Sequence, residues 1–388
     1  MNSRRYTLLT RLLQQPTAPF REEHVVTAVE RILTAARIPF FRDPIGNMII
    51  GCASRAQYRR LAHEKSTEPL RVFMAHMDHP GFHGVRWISG TRLSVKWYGG
   101  SPVNHVHGSR VWLATSEGDR MEGKLAHVRL VKSRRAIHTA EVHVSGTTRE
   151  PKPKANAIYG GFSFRAPVWR SGKKLYTKAA DDLVGVFAII DTAMWLRANH
   201  RGAKSPPFLG ILTRAEEVGF IGAIGHFELG WLSNARRPVV CVSLETSRTL
   251  PGAAVGKGPV VRLGDRRTAF HPDYLAVLSD VARKTLLKRH QRRIMDGGTC
   301  EATAATAYGL PAIGISVPLG NYHNEGFEGG PDCRAPRGPA PEFVHLDDIE
   351  GMSRLCRALM RARWPWDKPW AIQRRSMQKK LRKYRDLL

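Results

Sequence analysis

Short apolar runs alternate with amphipathic segments over most of the chain. Four runs are almost wholly apolar, as expected for strands that are covered on both faces. They span residues 72–75, 208–212, 239–244 and 312–317. Residues 184–198 predict a helix between the first two runs, and the apolar positions from Val25 to Ala36 form one stripe of another helix. This alternation predicts an α/β fold with a mainly parallel sheet covered by helices on both faces.

The pattern changes between about Gly84 and about Phe164. Short segments of alternating apolar and polar residues, such as 93–97 and 140–144, are separated by Gly, Asn, Ser and charged residues. This texture is typical of an all-β module. We therefore predict a discontinuous catalytic domain, residues 1–83 and 172–388, with an inserted β domain at 84–171.

Composition adds a strong positive charge to this picture. The 388 residues include 61 Lys plus Arg against 33 Asp plus Glu, a formal net charge of +28. Such a field attracts polyanions nonspecifically, but no nucleic-acid motif or phosphate-binding loop accompanies it. In the basic segment 374–388, Met377, Leu381, Tyr384 and Leu388 form a stripe that predicts a surface helix docked on something apolar. The alternative is a basic arm for nucleic acid or the ribosome.

Cysteine usage and hydropathy indicate where the protein works. The five cysteines form no CxxC pair, so neither a disulfide framework nor a thiolate zinc site is predicted, and a reducing cytoplasm fits best. The N-terminal segment MNSRRYTLLTRLLQQ predicts a helix of the mature protein. No apolar run approaches 18 residues, so no membrane span is expected.

Residues of metal-ligating type follow the predicted strands. Singly, each has an ordinary explanation, such as a hydrogen-bonded histidine or an N-capping aspartate. Together, at one edge of a sheet, they would repel or desolvate one another unless cations lay between them. Imidazoles and carboxylates without cysteine suit zinc, cobalt or manganese, and a bridging carboxylate suits a dinuclear hydrolase. The residues are His76, Asp78, Asp181, Asp182, Glu216, Glu217, Glu245 and His323.

The phrases HMD, ADD, EEVG and YHNEG, in that order, resemble the clan of dinuclear zinc exopeptidases. Within it the chain is most similar to the TET-type glutamyl and deblocking aminopeptidases. The 105 positions from His76 to Asp181 leave room for the inserted domain of those enzymes. The 78 positions from Glu245 to His323 are too few for the lid domain of aminoacylase and carboxypeptidase relatives.

The resemblance implies a role for each residue. His76, Asp181 and Glu245 would bind one divalent metal ion, and Asp181, Glu217 and His323 the other, with zinc expected and cobalt or manganese possible. Glu216 would be the general base for a metal-bridging water, and Asp78 would orient the His76 imidazole. The inserted β domain would serve dimerisation, and the protein would be a homo-oligomer, a dimer or larger.

Three residues depart from the family pattern, so the substrate stays open. Glu245 replaces a usual aspartate, Leu183 a usual arginine, and Cys300 a usual aspartate. Cys300 is interpreted as a small buried filler, with a thiol near the site as the alternative. The favoured function is an aminopeptidase acting on peptides, with acidic N-terminal residues favoured by the charge. The alternatives are a metal-dependent amidohydrolase or deacylase acting on a small acylated amine, and a basic nucleic-acid-associated protein with a vestigial peptidase fold.

Overall fold

The computed structural model describes residues 1–145, 151–200, 206–361 and 364–388. The α-helices of these residues are α1 Ser3–Leu13, α2 Glu23–Ala35, α3 Arg55–His63, α4 Leu183–Asn199, α5 Ile221–Glu228, α6 Pro272–Leu286, α7 Glu301–Ala307, α8 Leu346–Leu359 and α9 Ala371–Tyr384. The strands, in chain order, are β1 Phe40–Arg42, β2 Met48–Ile50, β3 Leu70–His76, β4 Gly81–Trp87, β5 Arg92–Tyr98, β6 Arg110–Ala114, β7 Arg120–Leu130, β8 Ile137–Ser145, β9 Tyr159–Phe162, β10 Val168–Ser171, β11 Lys174–Thr177, β12 Phe208–Thr213, β13 Val239–Arg248, β14 Val260–Asp265, β15 Gln291–Met295, β16 Ala312–Leu319 and β17 Glu342–His345.

An eight-stranded sheet forms the centre of the α/β part, in the order β1-β2-β12-β3-β13-β16-β14-β15. The four central strands, from β12 to β16, run parallel. Side chains of β3 alternate between two cores. Phe73 belongs to the core that includes residues of α1, α2, α4, α6 and α8, whereas Val72 belongs to the core that includes residues of α3, α5 and α7. The prediction of a mainly parallel sheet with helices on both faces is therefore confirmed.

Six antiparallel strands close into a barrel in the order β4-β5-β8-β7-β6-β9. Its interior is filled by the apolar residues of the alternating segments, among them Leu93, Val95 and Val142, as expected for strands with one buried face. The barrel starts at Gly81, directly after Pro80, three residues before the expected Gly84. Strand β10 pairs with β11, and β11 with β17, in a separate three-stranded sheet. The domain limits of 84–171 stay a prediction.

The two terminal helices differ in how they contact the protein. Helix α1 buries Leu9, Leu12 and Leu13, as predicted for the N-terminal segment. Helix α9 forms where predicted, but no α9 residue is buried, so its predicted docking on an apolar surface of this chain is wrong. Met377 is 69% exposed. Helix α9 contacts the rest of the protein near its start, where the Trp370 indole N–H donates to Asp273 over 2.7 Å. Within the described residues, no helix has both the length and the apolar character needed to cross a membrane.

Candidate metal centre

The predicted ligands converge at the carboxyl ends of the central parallel strands. His76 is the last residue of β3, Glu216 and Glu217 follow β12, and His323 lies in a short 3-10 helix after β16. Glu245 lies within β13, which continues to Arg248 rather than ending at Glu245. Parallel neighbours bring these ends together at one edge of the sheet.

Three groups of three residues at this edge place possible ligand atoms within 4.8 Å of one another. One joins His76 to Glu216 and Glu217, and the other two match the predicted metal pair. In the first of these two, His76 Nε2 lies 3.4 Å from Asp181 Oδ1, and Glu245 completes the group. In the second, His323 Nε2 lies 3.1 Å from Glu217 Oε2 and 3.7 Å from Asp181 Oδ2. Asp181 is the residue that both groups share, with one carboxylate oxygen directed to each histidine.

The charges of this centre are buried and incompletely paired. Burial raises the pKa of Glu217, and it raises those of Glu216 and Glu245 well above the ordinary range. For His76, burial acts against protonation, but the surrounding carboxylates outweigh it and raise the pKa well above its usual value. Several buried ligand-type atoms have no hydrogen-bond partner among the described residues, namely Asp181 Oδ1, Glu217 Oε1, Glu245 Oε1 and His323 Nε2. Orphaned imidazole nitrogens and carboxylate oxygens are the donor set that divalent transition metals take, so these residues fit a metal pair.

Asp78 contacts both His76 and the glutamate pair. Its backbone carbonyl lies 3.1 Å from His76 Nδ1, whereas its carboxylate Oδ1 is 3.6 Å from the same atom. A carbonyl can only accept, so Nδ1 donates to it, and Nε2, which faces Asp181, is the ring nitrogen available to a metal ion. The Asp78 carboxylate accepts the backbone N–H groups of Glu216 at 2.9 Å and Glu217 at 3.1 Å. Asp78 therefore orients the imidazole through its carbonyl and the glutamates through its carboxylate.

A pocket beside Glu245 is lined by cationic and polar groups, including Ser247, Arg248 and Arg262. The guanidinium of Arg262 is buried, and its Nη1 lies 3.8 Å from Glu245 Oε2. Its Nε has no hydrogen-bond partner in the part of the chain that the structure describes. Cys300 follows Thr299, a residue of the pocket lining, and is fully buried. Burial raises its thiol pKa to about 12. Burial and the raised thiol pKa support the interpretation of Cys300 as a small buried filler, while its electrostatic effect on Glu245 places the thiol near the site, as in the alternative. Leu183 is likewise fully buried, in the main core.

Two residues that contact the centre have no signal in the sequence. Glu342 accepts backbone N–H groups of Asp181 and His323, and Gly100 packs against the His323 ring. Neither adjoins a ligand along the chain. Only the fold brings them there.

Residues 60–327 match the family model of M42 glutamyl aminopeptidases. The aminopeptidase APDkam598 from the archaeon Desulfurococcus kamchatkensis has a similar fold, with a TM-score of 0.71 at 21% identity, covering 94% of this chain and 96% of the other. A Pyrococcus horikoshii TET1 peptidase, described as able to assemble into a tetrahedron or a large octahedral shell, gives a TM-score of 0.68 at 20% identity over 92% and 99%. An endoglucanase from Thermotoga maritima gives 0.60 at 18% identity over 91% and 96%.

The match to the family model identifies the chain as a hydrolase that acts on peptides. The chain belongs to the M42 glutamyl aminopeptidase family, because the family model matches more than half of its length.

Proposed function

We propose that the protein is a dinuclear metal-dependent aminopeptidase that removes N-terminal residues from peptides. His76, Asp181 and Glu245 would hold one divalent ion, and Asp181, Glu217 and His323 the other, with zinc as the favoured metal. When bound, the ions supply Lewis acidity, which acidifies water and polarises the scissile carbonyl. The observation that carries this proposal is the position of Asp181, whose two carboxylate oxygens are directed to two different histidines.

Glu216 is the proposed general base. Its carboxylate lies at the inner edge of the centre, with Oε2 3.8 Å from His76 Nε2, and its raised pKa suits a group that accepts a proton from water. Glu216 would then pass that proton to the departing amine. The neighbouring Glu217 is directed to His323 instead, and metal coordination would occupy the lone pairs that a base needs.

The pocket beside Glu245 supports acidic N-terminal residues as substrates. Arg248 and Arg262 line it, and a buried guanidinium lacking a full set of partners would gain a charge-assisted hydrogen bond from a substrate carboxylate. The overall charge of +28 would add a field that attracts acidic peptides.

We further propose that the barrel is a dimerisation unit and that the chain forms a homo-oligomer, by analogy with the TET1 peptidase whose shells are described above. A cytoplasmic location is also proposed, because the five cysteines have no spacing typical of a disulfide framework.

The test compares Glu216→Gln with the wild type after chelation and reconstitution with zinc or cobalt. About two metals per chain should bind to both proteins. Release of N-terminal residues should fall by about 10²- to 10⁴-fold in the variant, the range of general-base catalysis. Glu228→Gln, a carboxylate on the outer helix α5, is the matched control and should keep full activity. Full activity of Glu216→Gln would refute the base, and activity on N-acyl amides alone would favour a deacylase.

A further inference from the structure

Glu342 is the first residue of β17 and is fully buried. In the three-stranded sheet it pairs with Thr177 at the end of β11. That pairing places its side chain beside the chain segment that runs from Thr177 to Asp181. Both carboxylate oxygens accept hydrogen bonds from backbone N–H groups there, and the His79 ring lies nearby, with Nε2 3.9 Å from Oε1.

The two oxygens accept backbone N–H groups from two different loops. Oε2 accepts from Ala180 at 2.6 Å and from Asp181 at 3.2 Å. Oε1 accepts from His323 at 3.0 Å. One side chain thus spans the loop that supplies the shared carboxylate and the loop that supplies the histidine of the second group.

The His323 loop needs such support because its backbone is strained. His323 has a φ of 55°, and the flanking residues Asn321 and Asn324 have φ values of 55° and 59°. Left-handed conformations of residues with a Cβ are unfavourable and persist only where surrounding contacts fix them. The Asn324 amide donates to the Lys178 carbonyl over 3.0 Å, a second link between the same two loops. Without Glu342, the His323 N–H would lose its acceptor. The loops would stay joined through Asn324 and through His79, whose ring nitrogens lie 2.9 Å from the Asp181 carbonyl and 3.2 Å from Asn324 Oδ1, but neither of these links holds the His323 backbone itself.

We infer that Glu342 is a positioning residue that fixes the distance between Asp181 and His323, and so tunes the affinity for the metal ion that these two residues share. The inference rests on the proposed metal-dependent function. Carboxylates that hold metal ligands in place, without touching the metal, typically control affinity by about 10- to 100-fold. A glutamine at 342 keeps one accepting oxygen, but its NH₂ group would face the N–H donors of the other loop. Glu342→Gln should therefore be intermediate between the wild type and Glu342→Ala.

The experiment measures stepwise zinc affinities of metal-stripped protein by chelator competition. One of the two binding steps should weaken by about 10-fold in Glu342→Gln and by about 100-fold in Glu342→Ala, while the other step changes less. Asp348→Asn is the matched control, because Asp348 is also a fully buried carboxylate that accepts two backbone N–H groups, from Gly256 and Gly258. It contacts none of the proposed ligands. The Asp348→Asn variant should bind both ions like the wild type, even if its melting temperature falls as far as that of Glu342→Ala.

Amide hydrogen exchange of the apo-proteins provides a readout that needs no metal. Exchange in the peptides containing Asp181 and His323 should be faster in Glu342→Ala than in the wild type and unchanged in Asp348→Asn. Wild-type zinc affinities for Glu342→Ala would overturn the inference. If the wild type binds no metal pair, the proposed function fails, and unchanged exchange would then overturn the positioning role by itself.

Discussion

Gly100 approaches the imidazole of His323 so closely that a Cβ atom on Gly100 would lie 2.2 Å from His323 Nδ1. Gly100 follows barrel strand β5, and its carbonyl accepts the indole N–H of Trp97 over 3.2 Å. Trp97 is itself packed in the barrel core. The barrel therefore contributes directly to the wall of the metal centre.

Replacing Gly100 by alanine should damage the centre without unfolding the protein. The added methyl group would displace the His323 ring, and displacements of about 1 Å can lower catalysis by about 10²-fold. We expect kcat/KM of Gly100→Ala to fall by about 10- to 100-fold, with a melting temperature close to that of the wild type. Gly90→Ala is the control, because its Cβ would meet only the flexible end of Lys152 at 3.4 Å. Equal activity of the two variants would contradict the role of this contact.

The strands and the ligand types were predictable because each has a local signature. Apolar runs bounded by turns indicate buried strands, and histidines or carboxylates at their ends can be read directly from the chain. Gly100 and Glu342 could not be found in this way, since their roles arise from contacts between segments distant in sequence. The docking of α9 was wrong for a related reason: an amphipathic stripe indicates a helix with an apolar face, but not what covers that face.

Asp78→Asn should lower activity by disturbing the two glutamates. Asparagine retains one accepting oxygen, but its NH₂ group would face the backbone N–H of either Glu216 or Glu217. We expect kcat to fall by about 10- to 100-fold. The free energy of unfolding should also fall by about 1–3 kcal/mol, because one buried backbone N–H group would be left without an acceptor. Asp348→Asn controls for that general cost and should retain kcat. Unaltered kcat in Asp78→Asn would show that the glutamates are held by other contacts.

Only one of the five cysteines should react with a thiol reagent in the native protein. Burial raises the pKa of Cys52, Cys241 and Cys300 to about 12 and that of Cys356 further, so the reactive thiolate is scarce. Cys333 alone is partly exposed. Titration with Ellman's reagent should give about one thiol before denaturation and five afterwards. Cys333→Ser should abolish the native signal, and a rapid second equivalent would contradict the burial of the others.

Removing residues 368–388 should weaken polyanion binding while sparing peptide hydrolysis. The segment carries eight Lys plus Arg residues and one Asp, and α9 buries none of its side chains. Because exposed charges act through a salt-screened field, the truncated protein should elute from heparin at lower salt. Its kcat/KM on a neutral peptide should match that of the full chain. Identical elution would place the polyanion-binding surface elsewhere, and lost activity would show that α9 supports the fold.

Lys178 should make the stability of the protein depend on pH. Burial lowers its pKa to about 7, with a smaller lowering contribution from Arg120 and an opposing one from Glu342 included in that value. In the unfolded chain the pKa is about 10.4. Between these two values the unfolded state binds more protons, so the contribution of Lys178 to the free energy of unfolding rises with pH and is least favourable below pH 7.

Lys178→Met removes this titration. The stability of the variant relative to the wild type should therefore be greatest near pH 6 and should decline by about 1–3 kcal/mol towards pH 9. The buried ammonium also donates to the Gln15 carbonyl; loss of this bond shifts the difference at every pH but not its slope. Urea denaturation at pH 6, 7, 8 and 9 measures how this stability difference changes with pH. Lys173→Met is the control, because Lys173 is an exposed lysine paired with Asp347. The stability difference between Lys173→Met and the wild type should be the same at each pH. A constant difference for Lys178→Met would show that Lys178 keeps an ordinary pKa in the folded protein, and a difference that increases with pH would show a raised pKa; either would contradict the prediction.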